Sequence, residues 1–283
     1  MKKLISAVLA VVLVLSLSVT AFATGGGHGG TICSEAKTFT FTKDYVDAEG
    51  DAAARKDIKF LAPLPVFNAD GSEGKMCGNA IRCVGKYLYD KRGVKKEEVT
   101  VETLSGVKTL KLFVLNGAVT SARVDMGAPV LSPEKIPALF TGERTVGKKV
   151  ILDKERVITL VSMGNPHCVV FVEDVETLPL TEIGPKFEQS PLFPERVNTE
   201  FIQGLGPREM KMRVWERGSG ETMACGTGAC AAVAAAVQTG RCPQNQAVTV
   251  HLKGGDLSVV YTEHTVTMEG GAELAFTGEI EMD

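Results

Sequence analysis

Two stretches decide how this chain is read: KMCGNAIRCVGKYL over residues 75–88 and TMACGTGACAAVAA over residues 222–235. Each sets a Met and then Cys-Gly ahead of a helix-like run, and each carries a second Cys further on. In the first, Ile81, Val84 and Leu88 recur on one helical face. In the second, the run from Gly228 to Gly240 is almost all small residues, the mark of a helix buried on most sides. A short apolar run and turn residues precede the first (VFNADGSEG), and a strand entering a Gly-rich turn precedes the second (KMRVWERGSGET). One arrangement of strand, turn, Cys-Gly and helix written twice predicts two similar α+β units, duplicated in the past, each delivering one Cys.

Outward from these motifs, most of the text is strand-like. VTVETLSGVKTLKLFVLNGAVTSARVDMG reads as several short strands with Gly and Asn turns. VITLVSMGNPHCVVFVED reads as two strands about a turn at Gly164-Asn165-Pro166, and GPKFEQSPLFP as a helix ending before a loop. Toward the N-terminus only Lys37 to Val46 alternates clearly as a strand.

The 283 residues are 44% hydrophobic and 23% charged, enough for one large or two modest globular domains. A net charge of −3 gives no footing for nucleic acid or an anionic membrane surface. Residues 1–23 form a separate object: a basic start, an apolar run from Leu4 to Val19, and the small residues Ala21 and Ala23. The run is short for a membrane span, so this segment reads as a signal peptide, with no stable span after its cleavage. TGGGHGG over residues 24–30 reads as a linker. The seven cysteines are odd in number and lack the spacing of a stapled framework or a structural zinc site, so no metal is expected.

A Cys at a helix start feels the positive end of the helix dipole, which favours its thiolate, and the free backbone N–H groups there bind carboxylates. Two such starts facing each other could hold one carboxylate between two thiols. That geometry suits moving a proton from one face of a carbon acid to the other: one thiolate takes it and the opposite thiol returns another. Cys83 and Cys230 stand too far along their helices to join and are expected to be inert core residues. Cys168 is expected to be a buried strand residue.

FNADGSEGKMCGNAIRC, MGNPHC and WERGSGETMACGTGACAA resemble diaminopimelate epimerase, over about residues 60–283. The resemblance implies a fold of two similar domains, each a barrel-like mixed sheet around a central helix, with the site in the cleft between them. It divides the chain into residues 24–125 and 126–270, with the strand 271–283 returning to the first domain. It implies a small-molecule reaction that needs no cofactor: interconversion of LL- and meso-diaminopimelate on the route to lysine and peptidoglycan. By the same resemblance, Cys77 and Cys225 are the catalytic pair, assisted by His167 and Glu216. Gly78, Asn79, Gly226 and Thr227 offer the carboxylate-binding helix starts. Asn68, Asn165 and Asn198 hold substrate, and Glu216 and Arg217 handle its charged groups. The family opens with a His-Gly-x-Gly-Asn-Asp-Phe segment that is absent here, so residues 31–60 are expected to be unmatched and the N-terminal domain incomplete. The resemblance points to the cytoplasm, the leader-like segment to export, and a homodimer stays open. Two alternatives remain: another amino-acid racemase of this fold, or an exported, inactive descendant.

Overall fold

Strands that alternate in polarity bury one face, and strands that are apolar without a break bury both. Both kinds occur here, and the difference locates the layers. The structure is a computed structural model describing residues 66–67, 73–74, 77–103 and 105–274. The strand expected at Lys37–Val46, the ligand expected at Asn68 and residues 275–283 of the returning strand lie outside these residues.

The described chain begins with a two-residue antiparallel pair, β1 (Val66–Phe67) with β2 (Glu73–Gly74), and enters helix α1 (Gly78–Lys91). An antiparallel meander follows: β3 (Glu98–Thr103), β4 (Gly106–Leu115) and β5 (Ala118–Gly127). The β4–β5 hairpin turns on Asn116-Gly117, both with positive φ (51° and 80°), which suits a right-twisted hairpin. Next come β6 (Lys148–Ile151), β7 (Glu155–Ser162), β8 (Pro166–Phe171), helix α2 (Leu180–Glu188), β9 (Asn198–Gly206), β10 (Glu209–Glu216) and β11 (Gly220–Thr222). Helix α3 (Gly226–Gln238) then leads to β12 (Ala247–Leu252), β13 (Gly255–Tyr261) and β14 (Val266–Gly271).

All strands from β3 onward join one mixed sheet in the order β3-β4-β5-β14-β13-β12-β10-β9-β8-β7-β6, with β11 beside β10. Only the pairs β8–β9 and β10–β12 are parallel, and α3 is part of the connection that makes the second possible. The strand that joins the early meander is β14, paired with β5 from Val266↔Gly127 to Gly271↔Ser121. It runs over residues 266–271, upstream of the returning strand expected at 271–283.

Helix α1 lays Ile81, Val84 and Leu88 into the core it shares with β3–β5. Gly85 permits this approach, because a Cβ there would meet the Leu112 and Leu110 side chains at 2.8 and 3.0 Å. Helix α3 is buried along Gly226–Ala236, and its small side chains let the surrounding strands close on it. A second core on the other side of β7–β9 holds Ile158, Leu160, Phe187 and Phe201, covered by α2. These strands lie between two helices, hence the unbroken apolar runs in their sequence. The helix expected in GPKFEQSPLFP starts earlier, at Leu180, and stops at Glu188.

Candidate active site

Cys77 and Cys225 occupy the same position, the residue capping the start of α1 and of α3. Their backbones nearly coincide, with φ, ψ of −121°, 116° and −130°, 108°. Each closes its first turn through its carbonyl, to Ile81 N at 3.0 Å and Ala229 N at 2.9 Å. The two starts meet head to head: a Cβ added at Gly226 would lie 3.3 Å from Gly78 Cα, with Met268 Sδ at 3.0 Å. A side chain at either glycine would press on Met268 and crowd the facing helix start. Opposed starts leave unused backbone N–H groups from both helices aimed at one region, a setting for an anion.

Around Cys225 stands a buried polar network drawn from five elements. Glu216, at the end of β10, accepts a hydrogen bond from the Thr222 hydroxyl, and its charge bears on the Cys225 thiol. Burial raises the Glu216 carboxyl above its ordinary range; the Thr222 hydrogen bond, the neighbouring Cys225 thiol and His167 oppose the rise, and Glu200 adds to it. Cys225 Sγ lies 3.4 Å from both Thr227 Oγ1 and Gly228 N. Asn165 Nδ2 donates to Thr227 Oγ1 at 3.2 Å, and Asn165 Oδ1 faces His167 Nε2 at 3.0 Å. His167 Nδ1 faces Glu200 Oε1 at 2.7 Å, with both side chains wholly buried.

Helix starts alone do not make these cysteines thiolates, contrary to the expectation from the dipole. Burial pushes the Cys225 thiol well above its ordinary range, reinforced by the Glu216 and Glu200 charges and only partly opposed by Thr227 and Gly228 N–H. Burial also raises Cys77, against the pull of the Ala80 and Asn79 N–H groups and of Arg82, with Glu216 adding to the rise. Glu216 therefore acts on both sulfurs. Both groups rest protonated and need a proton acceptor at hand.

The other expected residues are distributed around this centre. Asn79 accepts from Arg82 Nη2 at 3.0 Å at the start of α1. Asn198 spends its amide on the backbone, donating to Pro166 O at 3.0 Å and accepting from Arg217 N at 2.8 Å, so it clamps the His167 strand to the turn after Glu216. The Arg217 guanidinium bonds Glu195 O at 3.0 Å at the exposed rim. Cys230 is core as expected, its thiol raised to about 12 by burial. Cys168 is fully buried in β8. Cys83 departs from expectation: it is only half-buried, because it faces away from the α1 core stripe. All six described cysteines are free.

Two participants were not singled out from the sequence. Glu200 is a carboxylate inside an apolar strand run, TEFI, and Arg82 is a cation among the core positions of α1. Charges in those places are rarely buried without a partner, and that is the signal each carries. Among the described residues no group of three or more His, Cys, Asp or Glu is placed to hold a metal ion, and no helix is long and apolar enough to cross a membrane.

The comparisons with known proteins agree with this geometry. Two solved structures share the fold. One is a hydroxyproline epimerase from Agrobacterium vitis, at TM-score 0.57 and 14% identity, covering 73% of this chain and 66% of that one. The other is a probable proline racemase from Agrobacterium radiobacter, at TM-score 0.58 and 15% identity, covering 75% and 69%. Much nearer in sequence is a diaminopimelate epimerase of Desulfitobacterium hafniense, 51% identical over 219 residues, 77% of each chain. One of Bacillus mycoides is 51% identical over 226 residues, 78% of each chain. The family model described as diaminopimelate epimerase matches residues 39–132 and 159–275. It reaches back to residue 39, so much of the 31–60 segment expected to be unmatched lies within it. It also spans both Cys-Gly helix starts and the residues gathered around them, and the chain belongs to the diaminopimelate epimerase family.

Proposed function

We propose that this chain interconverts LL- and meso-diaminopimelate by proton transfer between two thiols, without a cofactor. The observation that carries this reading is the head-to-head meeting of the two Cys-capped helix starts at Gly78 and Gly226. In this mechanism the substrate's α-carboxylate binds the N–H groups of Gly78, Asn79, Gly226 and Thr227, and the α-carbon lies between Cys77 and Cys225. One sulfur, as thiolate, removes the α-proton, and the opposite thiol delivers its own to the other face. The helix N–H groups offset the negative charge that builds on the carboxylate. Glu216, a buried carboxylate whose charge bears on Cys225, accepts the S–H proton that must leave before that sulfur can act as base. His167 and Asn165 support the same sulfur from behind. Asn68 and Arg217 hold the distal amino-acid centre, which needs both a carboxylate and a cation partner, and Asn198 fixes the turn that carries Arg217.

We assign residues 24–125 and 126–270 as the two halves that deliver one sulfur each, with the C-terminal strand returning to the first. The reaction needs both sulfurs reduced, which favours the cytoplasm over an oxidising compartment. A homodimer completes this reading. Signal-peptide function of residues 1–23 is decided by the N-terminus of the protein recovered from cells.

The test incubates the purified reduced chain with LL-diaminopimelate in deuterated water, followed by chiral chromatography and mass measurement. Formation of the meso isomer with one α-deuteron is the expected result. No turnover from either isomer would overturn the reading, and turnover of proline or hydroxyproline instead would assign the site to another racemase.

A further inference from the structure

The route from Glu200 to Cys225 passes through three side chains whose hydrogen bonds have a direction. His167 has oxygen acceptors at both ring nitrogens, Glu200 Oε1 at 2.7 Å and Asn165 Oδ1 at 3.0 Å. With Asn165 oriented so that its Nδ2 meets Thr227 Oγ1, a neutral imidazole has one donor and cannot satisfy both; the doubly protonated ring can. Burial supplies the reason for that charge. Glu200 is fully buried and its Oε2 has no hydrogen-bond partner among the described residues, so His167 is the group placed to compensate the carboxylate. A buried carboxylate left without a cation is strongly disfavoured.

The charge on the ring fixes everything downstream. With His167 Nε2–H donating, Asn165 must accept through Oδ1 and present Nδ2–H to Thr227 Oγ1, which is 3.2 Å away. Thr227, its oxygen already accepting, is left to turn its own hydrogen toward Cys225 Sγ at 3.4 Å. Gly228 N–H reaches the same sulfur at 3.4 Å. Were the ring neutral with its proton on Nδ1, Asn165 would turn its NH₂ to the ring and its oxygen to Thr227. The Thr227 hydrogen would then point away from the sulfur.

We propose that Glu200 is a positioning residue that keeps His167 doubly protonated and so sets the direction of the chain His167–Asn165–Thr227, aiming the Thr227 hydroxyl hydrogen at the Cys225 sulfur when it becomes a thiolate. The charged groups facing Cys225 are Glu216 from β10, Glu200 from β9 and His167 from β8. Glu200 and His167 compensate each other, which leaves Glu216 to take the thiol proton. This inference rests on the two-thiol reading only where turnover is measured; the charge of the ring is independent of it.

The test uses the full chain, ¹⁵N-labelled, with the ring resonances of its four histidines separated by NMR and His167 identified by its loss in His167→Gln. In the wild type both His167 ring nitrogens should carry protons at neutral pH; in Glu200→Gln, of equal shape, the ring should become neutral. A single ring proton in the wild type, which requires no variant to fold, would overturn the inference, as would an unchanged imidazolium in Glu200→Gln. Kinetics then separates positioning from bulk structure. Glu200→Gln should lower kcat about ten- to a hundredfold with KM nearly unchanged, the scale of one hydrogen bond to a charged group. Thr227→Val should lose as much, and the double variant no more than either alone; independent, multiplying losses would sink the relay. Should the wild type turn over no diaminopimelate, the function proposed above fails. The ring protons, together with the iodoacetamide reactivity of Cys225 in the wild type and Glu200→Gln, still decide the inference. Slower alkylation in the variant supports it and equal or faster alkylation overturns it.

Discussion

The two helix starts are built alike, and their surroundings are not. At α1, Cys77 makes no side-chain capping bond, and the nearby fixed charge of opposite sign is the Arg82 guanidinium, anchored to Gly78 O, Asn79 Oδ1 and Gly271 O. At α3, Cys225 accepts from Gly228 N and faces two carboxylates. Helix α1 keeps a polar, exposed face, whereas α3 is buried on nearly all sides. What both copies retain is the capping geometry that aims backbone N–H groups at the partner. Everything behind it differs, and the difference makes the pair unequal: Cys77 feels one carboxylate, Glu216, opposed by the Arg82 cation, whereas Cys225 feels both Glu216 and Glu200. A reaction that passes a proton from one face to the other uses such inequality, because one sulfur must be base while its partner is still acid.

The largest expected effect tests whether the two sulfurs are both needed. Cys77→Ala and Cys225→Ala should each lower turnover by about 10²- to 10⁴-fold, the range for a lost acid or base, measured by chiral chromatography. If either variant kept wild-type turnover, the opposed pair would not be the catalytic unit.

Next in size is the third residue after each cysteine, Gly228 in α3 and Ala80 in α1. A Cβ at position 228 would lie 2.7 Å from Glu200 Oε1 and 3.2 Å from Cys225 Sγ, both held rigidly. At its counterpart in α1 the residue is already Ala80. Gly228→Ala should therefore cost about 1–3 kcal/mol in denaturant unfolding and most of the activity. A neutral result would mean the Glu200–His167 network yields freely.

A helix buried on all sides should also tolerate less than one with a wet face. Ala232→Leu in α3, with no exposure, should destabilise by about 1–3 kcal/mol through overpacking. Lys91→Ala on the exposed end of α1 should stay within about 0.5 kcal/mol. Equal costs would contradict the layering described above.

The smallest effect is a slope against pH. The Glu216 carboxyl is raised in the folded chain, so the native state binds a proton more readily than the unfolded one. Its contribution is fully present below the ordinary glutamate range and is lost as pH rises through the raised folded value. Glu216→Gln should flatten that decline in stability, as read from unfolding midpoints between acid and neutral pH. An unchanged slope would mean that another group governs it.

Much of the fold was legible in advance. The duplicated Cys-Gly motif named both helix starts, because a capping Cys followed by a Gly is a local pattern that needs no distant partner. The small residues of GACAAVAAAV announced a helix enclosed by other elements, since only such side chains let strands close around it. Chain-wide partners were less legible. That β14 would pair with β5 depends on a strand distant in sequence, and polarity alternation is the same whichever neighbour is chosen. The start of α2 was also missed, because Pro185 reads as a first-turn residue yet sits inside the helix. The same division runs through the site. Cys77, Cys225, His167 and Glu216 could be marked by motif. Glu200, Arg82 and the commitment of Asn198 to backbone could not. Local sequence sets which backbone N–H groups stand free and where a sulfur caps them, so it determined the chemistry available. The charges behind each sulfur come from strands far apart in the chain and act through distances of a few ångströms and the loss of water. The inequality of the two thiols was therefore decided only when the tertiary structure brought them together.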